Sequence, residues 1–177
     1  RPVSGEYYAL LLYSAAGQSL MASSGELITI FIGLEISSIA SYVLVGCLRD
    51  DKLAAEAALK YFLLGSLAAA FLLYGVAWVY GLTGSTNLVD VRAALWGLSP
   101  GGPQALTSAA AALLFVGLAF KVAAWPFQSW APDVYQGAPA PVAGFLSAGP
   151  KAAAFAVLLR VFWAGFGPIR SRWDTLL

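Results

Sequence analysis

The chain is predicted to be an all-α, polytopic transmembrane helical bundle with about five spans in one transmembrane domain over 1–177. Three observations predict it. Hydrophobic residues make up 60% of the chain and charged ones 11%, against about 25% charged in soluble domains. The apolar residues fall into runs near the roughly 20 that a helix needs to cross a bilayer. Finally, the polar connections are too short to hold a soluble domain.

The spans follow in order. Residues 7–24 are interrupted inside the span by Ser14, Gln18 and Ser19, and 27–48 by one acid, Glu35. The turn Arg49-Asp50-Asp51-Lys52 marks a return to water. Residues 53–80 form a third span, uncharged from Tyr61 to Tyr80. The longest polar connection, 81–104, holds Asp90, Arg92 and the Pro100-Gly101-Gly102-Pro103 turn. A fourth span, 105–130, is expected to break at Pro126, and a fifth, 141–163, at Gly149-Pro150. The basic residues of alternate loops, Arg1, Arg49 and Lys52 against Arg92, Arg170 and Arg172, are evenly divided and set no orientation. The chain starts at Arg1 without a signal-peptide pattern, and is expected to be an internal piece of a longer protein.

Composition also excludes chemistry. Lys and Arg total 10 against 9 Asp and Glu, so there is no basic excess to track phosphates, and no nucleic-acid partner is expected. No histidine is present, which removes imidazole metal sites, Ser-His-Asp catalysis and imidazole shuttles. Cys47 is the one cysteine and cannot form an internal disulfide or thiolate cluster. Protons handled inside this chain must be handled by carboxylates, lysines, tyrosines and water.

The informative residues are ionisable groups far from the ends of the spans, because a charge at mid-bilayer costs several kcal/mol and usually faces a bundle interior or water. Glu35 lies near the middle of its span, and Ser38 and Ser41 or Tyr42 continue a polar stripe at helical spacing. It is either a functional carboxylate or a neutral acid that glues two helices. Lys121 precedes Pro126, whose missing N–H leaves the Val122 carbonyl without its usual partner. That is the pattern of a hydrated break; the alternative is a lysine snorkelling to the interface. Lys151 follows Gly149-Pro150. If Pro150 opens a new helical segment, Lys151 sits at its positive dipole end, where a base can load and release a proton. Lys60 follows Glu56 by four residues, so an ordinary helix salt bridge competes with a functional role. Arg160 reads as an interfacial anchor. Trp125, Trp130, Trp163 and Trp173 read as belt residues, and the alanine runs at 109–112 and 152–154 as close helix packing.

The stretch Phe120-Lys121-Val122-Ala123-Ala124-Trp125-Pro126-Phe127-Gln128-Ser129-Trp130-Ala131-Pro132-Asp133-Val134-Tyr135-Gln136-Gly137-Ala138-Pro139-Ala140-Pro141-Val142 resembles the signature of the antiporter-like membrane subunits of respiratory complex I. So do Phe145-Leu146-Ser147-Ala148-Gly149-Pro150-Lys151, Gly33-Leu34-Glu35 and Glu56-Ala57-Ala58-Leu59-Lys60-Tyr61. The wording from Asp133 to Pro139 is most similar to the branch called N in bacteria and 2 in mitochondria.

The resemblance covers essentially the whole chain. It implies one inverted repeat of an antiporter-like fold, corresponding to helices 4–8 of a larger bundle. Carried over by position, Glu35 matches the essential glutamate of the family's fifth helix and Lys121 the lysine of its broken seventh helix, the two thought to form an ion pair. Lys60 and Lys151 match lysines of helices six and eight. All four would form a proton relay, with Arg49 and Lys52 on the cytoplasmic or matrix side. Two departures stand out: Gln128 replaces a common histidine, and Pro150 replaces a small polar residue.

The resemblance further implies a proton-translocating subunit of NADH:quinone oxidoreductase, without redox chemistry of its own. No cofactor is expected in this chain; NADH, FMN, iron–sulfur clusters and quinone belong elsewhere in the complex. Expected partners are the other membrane subunits of complex I, the lipid bilayer and protons, most readily in a bacterial plasma membrane. The rival readings are a subunit of a multi-subunit Na⁺/H⁺ antiporter and a non-conducting structural subunit.

Overall fold

In the computed structural model the described residues are 5–48, 50–97 and 104–170. Arg1, Arg49, the 100–103 turn, Arg172 and Trp173 lie outside them. Helix α1 spans Gly5–Ser23, α2 Leu27–Val45, α3 Lys52–Thr83, α4 Leu88–Gly97, α5 Gln104–Val122, α6 Trp130–Gly137 and α7 Ala140–Leu159. A π-helical turn, Arg160–Gly165, continues α7, and a short 3₁₀ turn, Gly167–Ile169, follows.

The five long helices close a ring. α1 lies along α2, α2 meets α3, α3 packs on α5, and α7 returns to both α5 and α1. The α1–α2 seam is the closest approach. A Cβ at Gly33 would lie 2.7 Å from the Met21 nitrogen and 2.8 Å from the Gly17 carbonyl, and a Cβ at Gly17 2.5 Å from the Gly33 carbonyl. Glycine at both positions lets the two backbones touch, as small residues do between helices in lipid.

Two apolar clusters fill the ring. One end holds Met21, Leu34, Leu72, Val76, Leu114, Leu118, Val157 and Phe162 with the underside of α4. The other holds Tyr42, Val45, Tyr61, Phe120, Trp130, Val142 and Leu146. Ser14 and Gln18, Glu35 and Ser38, and Lys151 sit between the two clusters along α1, α2 and α7 respectively.

Among the described residues, four helical segments, Leu27–Val45, Lys52–Thr83, Ala105–Val122 and Ala140–Gly165, are long and apolar enough to cross a membrane. α1 has the length, but Glu6, three tyrosines and Gln18 lower its hydropathy below theirs. At about 1.5 Å per residue the 32 residues of α3 reach about 48 Å, well beyond a hydrocarbon core.

The structure departs from the sequence reading in three places. The connection at 81–104 contains α4, whose Leu88, Val91 and Leu95 recur at helical spacing and are buried. The fourth span ends earlier than 105–130 suggests. Ala123 takes a left-handed φ of 59°, its N–H donates to the Phe120 carbonyl at 3.1 Å, and the Ala124 N–H reaches the Ala119 carbonyl at 2.9 Å. That pair of bonds is a Schellman cap, so α5 stops at Val122 before Pro126 is reached, and α6 starts afresh at Trp130. Gly149-Pro150, by contrast, is no break. Pro150 lies inside the continuous α7, costing it the one bond to the Leu146 carbonyl. Packed neighbours hold proline-bearing helices together at membrane depth. The irregularity of this span falls instead at the π turn of 160–165.

The entrance to α2 is tied to α4. The Leu27 N–H donates to the Thr86 carbonyl and the Leu88 N–H to the Gly25 carbonyl, each at 2.9 Å. Glu26 caps α2, accepting from the Ile28 N–H at 3.1 Å and the Thr29 N–H at 2.6 Å. Burial alone would raise this carboxyl. Hydrogen bonds from the Thr86 and Thr29 side chains and from the Thr29 and Ile28 backbone outweigh it and hold the group below the usual carboxylate range.

Two predictions follow from these contacts. Gly33→Ala forces α1 and α2 apart and destabilises the bundle by about 1–3 kcal/mol, read as a lowered melting temperature in detergent; an unchanged one would contradict the close seam. Glu26→Ala costs about 1 kcal/mol at neutral pH. Because the folded carboxyl gives up its proton more readily than the unfolded one, its contribution is full above about pH 4.3 and fades as the pH falls below that. The gap between wild type and variant therefore narrows on acidification, whereas a constant gap would rule out the charged cap.

Candidate functional site

Lys121 is the penultimate residue of α5, within the capped last turn, where a cation complements the negative end of the helix dipole. It is 8% exposed, so it does not snorkel. Its Nζ lies over three aromatic rings, 5.4 Å from the centroid of Tyr42, 5.5 Å from that of Tyr61 and 5.9 Å from that of Phe120. Trp130 sits behind them, stacked on Tyr61 at 4.7 Å with 12° between the planes. Its Nε1 donates to the Phe120 carbonyl at 2.9 Å. One carbonyl thus receives both the helix cap and the first side chain of α6, which holds the two sides of the break together beside the lysine.

Glu35 is the charge that acts on Lys121, and Lys121 the charge that acts on Glu35. No direct ion pair joins them among the described residues. Glu35 Oε1 is buried and accepts no hydrogen bond from the protein. The ion pair implied by the resemblance is thus not made, and the two groups that the sequence singled out first act on each other without touching.

Of the serines predicted beside Glu35, Ser41 belongs to a larger polar seam. Ser14 Oγ lies 3.1 Å from Ser37 Oγ and 3.2 Å from Ser41 Oγ, and Gln18 Nε2 donates to it at 3.1 Å. Ser38 donates to the Leu34 carbonyl. Gln18 also reaches α7, where a Cβ at Gly149 would lie 2.6 Å from its Oε1. Ser14 and Gln18 were visible in the sequence as polar residues in the first span, but only the α1–α2 contact makes them one network with Ser37 and Ser41.

Lys151 is half-buried in mid-α7, with Nζ 5.2 Å over the ring of Tyr135. It does not sit at a helix start, since Pro150 opens no new segment. Tyr135 continues the aromatic row, 6.2 Å from Trp130, so one strip of rings runs from Lys121 to Lys151.

Lys60 is placed apart from this strip. Its Nζ is 2.7 Å from Glu56 Oε1 and 2.8 Å from Asp133 Oδ2, with the side chain 44% exposed. The helix salt bridge expected from its spacing is present, and Asp133 of α6 adds a second carboxylate that no sequence spacing indicates.

Arg160 donates to the Ser23 and Ser24 carbonyls at 3.1 and 3.4 Å, closing the end of α1. Trp125 and Trp163 are exposed, as belt residues are. Trp130 is the correction: it is 2% exposed and belongs to the core, because its ring fills the gap that the break in α5 opens. Among the described residues no group of three or more Cys, Asp and Glu side chains is placed to hold a metal ion.

Because the Lys60 cluster is exposed and screened, Asp133→Asn is expected to shift the melting temperature only slightly, and less still in high salt. A collapse of folding in this variant would show that the pair carries structure.

The comparisons agree with this fold. The family described as NADH:quinone oxidoreductase/Mrp antiporter, TM, matches residues 24–173. The chain is 66% identical over 174 residues to NADH-quinone oxidoreductase subunit N 1 of Solibacter usitatus, covering 98% of this chain and 35% of that protein. Among solved structures it is similar to a chain of respiratory complex I from Thermus thermophilus with bound aureothin, at 49% identity and a TM-score of 0.78, covering 90% of this chain and 35% of that one. It is also similar to a chain of the Mrp complex from Dietzia sp., at 27% identity and a TM-score of 0.78, covering 89% and 29%. The chain thus spans about a third of the length of the relatives it matches. With the profile match extending across 150 of its residues, the chain belongs to the NADH:quinone oxidoreductase/Mrp antiporter transmembrane family.

Proposed function

We propose that the chain is part of a proton-translocating membrane subunit of NADH:quinone oxidoreductase, seated in a bacterial plasma membrane among the other membrane subunits of that complex. The observation that carries this reading is the buried Lys121, coupled to Glu35 without a direct ion pair and standing at a broken helix. A charge in that position is costly, and ionisable groups kept inside membrane helices mark ion and proton pathways.

In this reading Glu35, Lys121, Lys151 and Lys60 form the relay. When Glu35 approaches, it holds the Lys121 ammonium. When it withdraws, an N–H bond of Lys121 breaks and the proton passes, through hydrogen-bonded water, to the free amine of Lys151, which gains an N–H bond. Lys121 is reloaded from the side on which Lys60, Glu56 and Asp133 gather. NADH, FMN, iron–sulfur clusters and quinone are carried by other subunits, and this chain moves protons while electrons pass elsewhere.

A second reading, a subunit of a Na⁺/H⁺ antiporter, has the equal TM-score of the Mrp complex chain in its favour. The higher identity to the complex I chain, 49% against 27%, favours the first.

Lys121→Met in the full-length subunit tests the proposal. In vesicles holding the assembled complex, protons moved per electron, or turnover coupled to pumping, is expected to fall by roughly tenfold or more. Normal pumping per electron in an assembled complex would leave Glu35, Lys121 and Lys151 as structural charges. Dependence of transport on sodium would favour the antiporter.

A further inference from the structure

Among the described residues, Lys121 has no carboxylate in ion-pair contact, yet it is not unaccompanied. Tyr42 of α2 and Tyr61 of α3 each turn a ring toward its Nζ, at 5.4 and 5.5 Å, and Phe120 of its own helix adds a third at 5.9 Å. All three separations fall within the roughly 6 Å over which a ring's quadrupole attracts a cation, and the attraction grows when water is excluded.

The rings are fixed in place. Tyr42 and Tyr61 meet edge to face, with centroids 4.7 Å apart and planes at 89°. Tyr61 is stacked on Trp130, which is bonded to the Phe120 carbonyl. Tyr42 is seated by a glycine: a Cβ at Gly65 would collide with its hydroxyl. Three elements thus build one aromatic wall around a single ammonium.

We infer that Tyr42 and Tyr61 are positioning residues that cradle the Lys121 ammonium in a second resting place, so that the lysine exchanges between the Glu35 carboxylate and an aromatic cage. The inference builds on the relay reading, because it supplies the site that the lysine occupies when the carboxylate is out of reach. A lysine released by Glu35 into bare hydrocarbon would give up its proton indiscriminately. The cage keeps the charged form available until an acceptor is aligned. Lys151, 5.2 Å over Tyr135, is seated in the same manner at the far end of the strip.

Ring fluorination separates this role from mere packing, because fluorine weakens the quadrupole while barely changing the volume of the ring. In the full-length subunit, Tyr61→Phe is followed by replacement of Tyr61 with mono-, di- and trifluorinated phenylalanine. The same series is then made with Lys121→Met. With Lys121 present, the melting temperature is expected to fall stepwise, by about 2–4 °C across the series, and with Lys121→Met it stays level. Equal slopes in the two backgrounds, or no slope in either, would overturn the cage. Repeating the series at Tyr42 keeps the test decisive if one position tolerates no substitution. Pumping by Lys121→Met reports separately on the relay, so the cage and the relay can fail independently.

Discussion

Burying one ammonium group sets the terms for much of this structure. An isolated charge in hydrocarbon is costly, and Lys121 is buried in the bundle. Everything around it serves to lower that cost. The helix that bears it stops one residue later, which leaves the charge at the negative end of the α5 dipole. The break is closed by Trp130, whose indole bonds the carbonyl beside the lysine. Rings from three elements face the ammonium, and the opposite charge, Glu35, acts from α2. Remove the lysine, and the broken helix, the buried tryptophan and the orphaned Glu35 oxygen lose their common reason.

The same economy explains where polar groups are allowed. Helices surrounded by lipid gain nothing from burying leucine against leucine, so close backbone contact and shared hydrogen bonds join them instead. The α1–α2 seam uses both. Gly17 and Gly33 bring the backbones together at one level, and Ser14, Gln18, Ser37 and Ser41 satisfy one another at the next. This seam lies between the two apolar clusters, at the level where Glu35 and Lys151 also sit. A polar belt thus crosses mid-bundle, with an apolar core at either end. The Lys60, Glu56 and Asp133 cluster stands outside that belt and is exposed to its surroundings. Of the four residues carried over by resemblance, it holds the one that the structure places at the rim.

The sequence by itself determined the class of molecule, the number and rough extent of the long helices and the identity of the costly charges. These are readable because the bilayer demands runs of apolar residues of a set length, and any charge inside such a run stands out. Proline was a poorer guide: Pro126 lies beyond a break already made at Ala123, whereas Pro150 breaks nothing, because a helix end is decided by capping bonds and by what packs against it. Tertiary structure alone decided that Lys121 rests among aromatic rings apart from Glu35, that Trp130 is core and not belt, and that Asp133 is the second partner of Lys60. The physical reason is common to all three. A side chain's partners lie on other helices, 60 to 80 positions away along the chain in the case of Tyr42, Tyr61 and Lys60, and no local periodicity records which faces those helices turn toward each other.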